Sequence, residues 1–391
     1  MTSCLWPQFC IYHIYFLVCI ISICNWRISL KLVGKLVSIK MDSKKTRREI
    51  IKFIALFFLF AISLGCEHER IPCLPPSHYE PAPGAPYLAE GVQITTNQGY
   101  LLAGTLTIPL NESPPYPAVI LITGSHASNR DHVGNNDYPI NQYRPFRQIA
   151  DVLSRRGIVV LRMDDRGYGC SEGGDIYEAT IPERADDIKA GLAYLKDRKE
   201  IDRDRLGLLG LSEGANIGPM IAAKDPSIRA LVIMAGSAAN GREILNWQVR
   251  YATALMEGVT VEERDRVLKK RMMDVEKWIA EGITKRWRKS FAEYNPLPTA
   301  RNVRCSVLII HGDRDANVPV KHAHLLAEAM RAGGNADVTV WILPNHNHLF
   351  LKDPDGRFTD KRYVKLLRNT NRLSEDLLRM MADWVSSRFR L

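Results

Sequence analysis

Cysteine is scarce in this sequence: 391 residues hold eight, and four of them, Cys4, Cys10, Cys19 and Cys24, precede Met41. The other four, Cys66, Cys73, Cys170 and Cys305, are too sparse for a disulfide scaffold. Metal-site spacing is missing too. There is no His-Glu-x-x-His and no cysteine pair, and His126, His132, His346 and His348 do not offer the three well-spaced ligands of a catalytic zinc. No metal or organic cofactor is expected. A nucleotide loop is also lacking, because Asp164-Asp165-Arg166-Gly167-Tyr168-Gly169 has no Gly-Lys-Ser ending and no GxGxxG follows a strand. That stretch reads as a charged turn held by an Arg to carboxylate contact. Even the net charge of +10 is local, since residues 1 to 65 hold nine Lys or Arg against two Asp or Glu, leaving 44 against 41 beyond them. A nucleic-acid partner is therefore not expected.

Two apolar stretches, Phe9 to Ile23 and Ile50 to Leu64, occupy those first 65 residues. The second follows a basic leader that starts at Met41 and runs into Gly65-Cys66, the layout of a secretory signal peptide over residues 41–65. Cys66 in that place resembles the lipidated first residue of a bacterial lipoprotein, although Ser63 stands where a leucine-like residue is usual. Met41 is then the expected start, with residues 1–40 an upstream extension. The rival, a membrane hairpin of both stretches, is disfavoured because Phe9 to Ile23 falls short of the roughly 20 apolar residues a span takes. The expectation is an exported domain anchored at a membrane through its N-terminal lipid or signal segment, facing the periplasm or cell surface. Residues 66–90, proline-rich from Arg70 to Tyr87, read as an extended tether, and residues 91–391 as the folded domain.

From Gly91 the chain alternates. Gly91 to Thr96 and Tyr100 to Ile108 flank Asn97-Gln98-Gly99 as a hairpin. Strands at Ala118 to Thr123, Ile158 to Met163, Arg205 to Leu209 and Ile228 to Met234 are separated by helices at Pro145 to Arg156, Pro182 to Lys196 and from Ala215 onward. Thr180 and Glu183 form a capping box for the second helix. This order predicts an α/β fold with a mainly parallel, doubly wound sheet. From about 237 to 300 the alternation stops, and Leu268, Met272, Val275 and Ile279 recur at helical spacing, so a helical insert is expected there.

The most informative motif is Gly210-Leu211-Ser212-Glu213-Gly214, where an apolar strand runs into a helix-like stretch. That is the setting of a nucleophile elbow, in which small neighbours allow the serine a strained backbone angle. The string Gly169-Cys170-Ser171-Glu172-Gly173 matches the same pattern, but a polar loop precedes it and Gly174-Asp175 follows it, so Ser171 reads as a loop residue. The residue after Ser212, Glu213, can offer its backbone N–H to a developing negative charge. A serine hydroxyl needs a base, and the base an orienting acid. Downstream, the strand Cys305 to Ile310 ends in His311-Gly312-Asp313-Arg314-Asp315, and Val338 to Leu343 runs out into Pro344-Asn345-His346-Asn347-His348. Two aspartates and two histidines are thus candidates at one sheet edge, in the order Ser, Asp, His.

In these motifs the chain resembles the α/β-hydrolase superfamily, and within it bacterial serine esterases that carry an HGxxDxxVP segment and an NHLF-like histidine loop. The resemblance runs from about Gly91 to the C-terminus and implies Asp315 as the acid and His348 as the base, with Asp313 and His346 as bystanders. It also implies an oxyanion donor in the loop after Ala118 to Thr123, at Ser125 or His126, beside Glu213. Relatives have GSGPxxRD there, and this chain keeps Gly124, Ser125, Arg130 and Asp131 but carries His126 in place of glycine. For the insert after the strand that follows the elbow helix, the same resemblance implies a cap over the site, in which Trp247, Tyr251 and Leu255 line a pocket or pack the cap on the core. The implied function is hydrolysis of a small-molecule carboxylic ester through an acyl-enzyme. A serine peptidase or thioesterase, and an inactive surface-anchored binding protein on the same scaffold, are the alternatives.

Overall fold

The computed structural model describes residues 73–74, 76–125, 127–133, 143–283, 285–353 and 372–389, all within the unit Glu69–Leu391. The leader (1–65), Cys66 and His126 lie outside the described residues. No described helix is long and apolar enough to cross a membrane.

Strands β1 (Tyr87–Thr95) and β2 (Leu101–Pro109) form an antiparallel hairpin whose turn ends on Gly99 at φ 83°. β1 is a half-exposed edge strand, and its inward residues Val92 and Ile94 alternate with outward ones. After β3 (Tyr116–Ile122) come α1 (Pro145–Ser154), β4 (Val159–Met163), α2 (Ile181–Asp197), β5 (Ile201–Leu211), α3 (Gly214–Ala222) and β6 (Ile228–Met234). Thr180 and Glu183 close the expected capping box on α2. Four helices follow: α4 (Gly241–Ala254), α5 (Val261–Ala280), α6 (Arg286–Glu293) and α7 (Pro296–Ala300). β7 (Ser306–Gly312), α8 (Lys321–Ala332), β8 (Val338–Leu343) and α9 (Glu375–Phe389) complete the described chain.

The sheet order is β1-β2-β4-β3-β5-β6-β7-β8, with β2 antiparallel to both neighbours and β4 to β8 joined by parallel pairings. Period-two alternation divides the central strands between two cores. Ala118, Ile120 and Ile122 of β3 pack with Ile188 and Leu192 of α2, Ile217 of α3 and Leu326 of α8. Val119 and Leu121 face the other way, towards Phe146 and Ile149 of α1 and Met381 and Val385 of α9. Each fully buried side chain of this kind stabilises the fold by about 1.5 to 3 kcal/mol. The carboxyl ends of β3, β5, β7 and β8 consequently open on one edge.

The stretch expected to be an extended tether is partly folded onto the domain. A short 3-10 turn spans Pro76–Tyr79, β1 begins at Tyr87 rather than Gly91, and Cys73 is disulfide-bonded to Cys170. The Tyr79 ring is buried beneath the Arg130 guanidinium, 4.3 Å away. Sparse cysteines hid this pairing, because the two partners stand 97 positions apart in the sequence.

Candidate active site

Ser212 sits between β5 and α3 with φ 57°, one of few non-glycine residues in the left-handed region. The turn is tight enough to demand its glycines. A Cβ on Gly210 would stand 2.1 Å from the Gly214 carbonyl oxygen, and one on Gly214 would stand 2.2 Å from the Ile122 carbonyl oxygen. Ser212 N–H donates to the Met234 carbonyl at 2.9 Å, which leaves the hydroxyl free to project above the strand ends.

Two distant loops meet that hydroxyl. His348 Nε2 lies 3.1 Å from Ser212 Oγ, and His348 Nδ1 lies 2.8 Å from Asp315 Oδ2. Burial works to raise the Asp315 carboxyl, but the His348 imidazole, and with it His311, outweighs burial and holds it well below the usual carboxylate range. An ionised carboxylate only accepts, so Nδ1 carries the proton and Nε2 presents its lone pair to the serine. The other Asp315 oxygen accepts from the Asn317 and Val318 N–H groups, each at 2.8 Å. On its own loop His348 is held by Asn347, whose Oδ1 accepts from Leu349 N–H at 3.0 Å and Leu351 N–H at 3.1 Å, while Tyr143 Oη donates to the Leu349 carbonyl. Such an arrangement can draw the proton from a serine hydroxyl and return it to a leaving group.

The alternative residues are elsewhere. Asp313 is exposed and accepts from Asn345 N–H at 2.6 Å, and His346 is buried with Nδ1 2.8 Å from the Pro344 carbonyl. Ser171 is buried in its loop, accepting from Ala103 N–H and donating to the Asp164 carbonyl, both at 2.9 Å.

The loop after β3 runs beside the serine, and a Cβ on Gly124 would stand 3.3 Å from Ser212 Cβ and 3.4 Å from His132 Cε1. Ser125 follows directly, and the Glu213 N–H lies at the start of α3, where the first N–H groups lack intrahelical acceptors. Arg130 and Asp131 anchor this loop from beneath. Arg130 pairs with Asp164 at 2.7 Å and donates to the Gly104 carbonyl at 2.6 Å, while Asp131 pairs with the buried Arg162. The turn at Asp164 to Gly169 is thus held by carboxylate contacts, but its partners come from other segments: Arg130 for Asp164, and Asp187 of α2 for Arg166, at 2.6 Å.

Sequence reading missed two groups here. His311, fully buried at the end of β7, places Nε2 3.2 Å from Asp315 Oδ2 and 2.9 Å from the Val318 carbonyl. Its position four residues before Asp315, at a strand's end, was the available signal. Arg184 of α2, fully inside the protein, reaches Glu213, and nothing in the local pattern of an amphipathic helix marks it.

Similarity to known proteins agrees with this architecture. The family described as serine aminopeptidase, S33 (Hydrolase_4) matches residues 140–355. Esterase EstD of Thermotoga maritima is 28% identical over 284 residues, 72% of this chain and 65% of EstD, so the match spans just under two thirds of that relative's length. The uncharacterized peptidase YtmA of Bacillus subtilis is 26% identical over 211 residues, 54% of this chain and 72% of its own. A crystallised esterase of Pyrococcus furiosus shares the fold, with a TM-score of 0.50 at 20% identity over 76% of this chain and 95% of that one.

Proposed function

The chain belongs to the serine aminopeptidase S33 family of α/β-hydrolases, and within it we propose that it hydrolyses carboxylic esters of small molecules through an acyl-enzyme. The family and an esterase relative make the chain a serine hydrolase of α/β fold. The continuous line from Ser212 Oγ through His348 to Asp315 supports the acyl-enzyme step, which esterases, peptidases and thioesterases share, and the likeness to an esterase supports the ester as substrate. In this reading Ser212 attacks the ester carbonyl, His348 takes its proton and passes it to the leaving alcohol, and Asp315 orients and stabilises the imidazolium. The backbone N–H of Glu213 and one from Ser125 or His126 receive the oxyanion, a contribution of about 3 to 4 kcal/mol per donor in related chemistry. Water then clears the acyl group, with no metal or organic cofactor in any step.

A serine peptidase is the second reading, supported by the family's description and by YtmA. Hydrolysis of p-nitrophenyl esters of graded acyl length, run beside aminoacyl amides and thioesters, separates the readings. Turnover of amides alone would install the peptidase. Fluorophosphonate should label wild type and not Ser212→Ala; an unlabelled wild type would leave an inactive binding protein.

An exported location, with lipidation at Cys66 as anchor, belongs to the same proposal. It is supported by the Cys73 to Cys170 disulfide, since such bonds persist in oxidising compartments. Palmitate labelling of the full chain, lost in Cys66→Ser, is the expected result.

A further inference from the structure

Glu213 does more than lend a backbone N–H. Its side chain has no solvent exposure, although it is a carboxylate, and a buried charge of this kind is retained only with close partners. Two partners come from different parts of the chain. Arg184 Nη1, on α2, bonds one carboxylate oxygen, and the indole Nε1–H of Trp287, on α6 of the helical insert between β6 and β7 that was expected as a cap, donates to the other at 2.8 Å. The same guanidinium also turns to the opposite wall: Arg184 Nη2 donates to the Gly124 carbonyl at 2.8 Å, one residue before Ser125. Burial alone would lower the Arg184 pKa, but Glu213 and Asp165 outweigh it and the cation persists.

We infer that Arg184, Glu213 and Trp287 form a positioning network that fixes the two walls of the oxyanion pocket to each other and to the cap. Arg184 spans the walls, since it grips the residue after the nucleophile on one side and the loop after β3 on the other. Trp287 links this clamp to α6, and α6 is itself fastened to the start of α2. Arg286 pairs with Glu183, and Ser290 Oγ accepts from Ile181 N–H at 3.0 Å. Aromatic neighbours leave the indole little freedom: Phe291 stacks on it at 5.3 Å, and Trp278 and Tyr177 meet it edge-on at 5.6 and 5.5 Å. The donors are useful only if preorganised, because a displacement of about 1 Å at a reacting centre can cost roughly a hundredfold in rate. Seating of the cap thereby enters the rate through the oxyanion, not through substrate affinity.

The inference rests on the ester-hydrolase reading, so the experiment uses readouts that separate the two. Trp287→Phe keeps an aromatic ring in the stack and removes only the N–H donor, and Glu213→Gln keeps the shape and backbone N–H while discharging the carboxylate. Kinetics on the best p-nitrophenyl ester, per folded molecule as counted by fluorophosphonate titration, should show kcat lower by about ten- to a hundredfold with KM within about twofold. Affinity for phenylboronic acid, whose tetrahedral adduct places an oxygen in the pocket, should weaken in parallel. If both variants keep wild-type kcat, or if KM rises while kcat and boronate affinity hold, the network is only structural and the inference is overturned. Failure of wild type to label at Ser212 would remove the hydrolase reading instead, and the inference with it.

Discussion

His311 and His348 converge on one oxygen of Asp315, at 3.2 and 2.8 Å. His311 Nε2 faces two acceptors, the carboxylate and the Val318 carbonyl, so it must donate, and among the described residues its buried Nδ1 has no hydrogen-bond partner. The second imidazole thus holds the carboxylate without competing for the serine. His311→Phe, which fills the space and removes the donor, is expected to lower kcat several-fold with KM nearly unchanged. Asp315→Asn should cost far more, roughly ten-thousand-fold in kcat, because the amide favours the wrong tautomer of His348. Steady-state kinetics of the two variants side by side check the ordering.

The two GxSxG serines should separate cleanly. Ser212→Ala is expected to abolish fluorophosphonate labelling. Ser171→Ala should leave labelling intact and lower stability by about 1 to 3 kcal/mol, since its hydroxyl accepts from Ala103 N–H and donates to the Asp164 carbonyl inside the protein. Urea denaturation followed by fluorescence measures the second effect.

Removing the disulfide should weaken the fold without touching the chemistry. Cys73→Ser with Cys170→Ser opens a loop of 97 residues' separation, and a loss of about 2 to 5 kcal/mol is expected. Thermal midpoints with and without reductant should then coincide for the double variant and differ for wild type.

His322, buried on α8, accepts from Ala238 N–H through Nδ1 at 3.2 Å, a bond that only the neutral ring can make. Burial, then the electrostatic effect of Lys321 and of the nearby His311, push its pKa down to about 4, against an upward pull from Asp315. A histidine depressed in the folded state contributes stability that is present above its unfolded value of about 6.5 and is lost as pH falls towards 4. Wild type should therefore lose up to about 3 kcal/mol across that window. His322→Gln, which keeps an acceptor and cannot titrate, should show a flatter profile in denaturation between pH 7 and 4.

Much of the fold was legible because its signals are local. The span Ile228 to Met234 and the span Val338 to Leu343 read as strands from apolar runs alone, and the Thr180 and Glu183 box marked the start of α2. Strand-to-helix context also distinguished Ser212 from Ser171, which the five-residue string could not. Boundaries were less visible at β1, where Tyr87 to Glu90 pair with Leu106 to Pro109. Pairing across a hairpin, not propensity, extends that strand.

Sequence by itself determined the periodicities, the two elbow glycines and the order Ser, Asp, His, since each depends on neighbours a few residues away. Only the tertiary structure decided that His348 and not His346 faces Ser212, that Cys73 finds Cys170, and that Arg184 joins Gly124 to Glu213. The physical reason is reach. Which way a buried polar side chain turns is set by partners brought close through sheet order and helix packing, and no window of contiguous residues contains them.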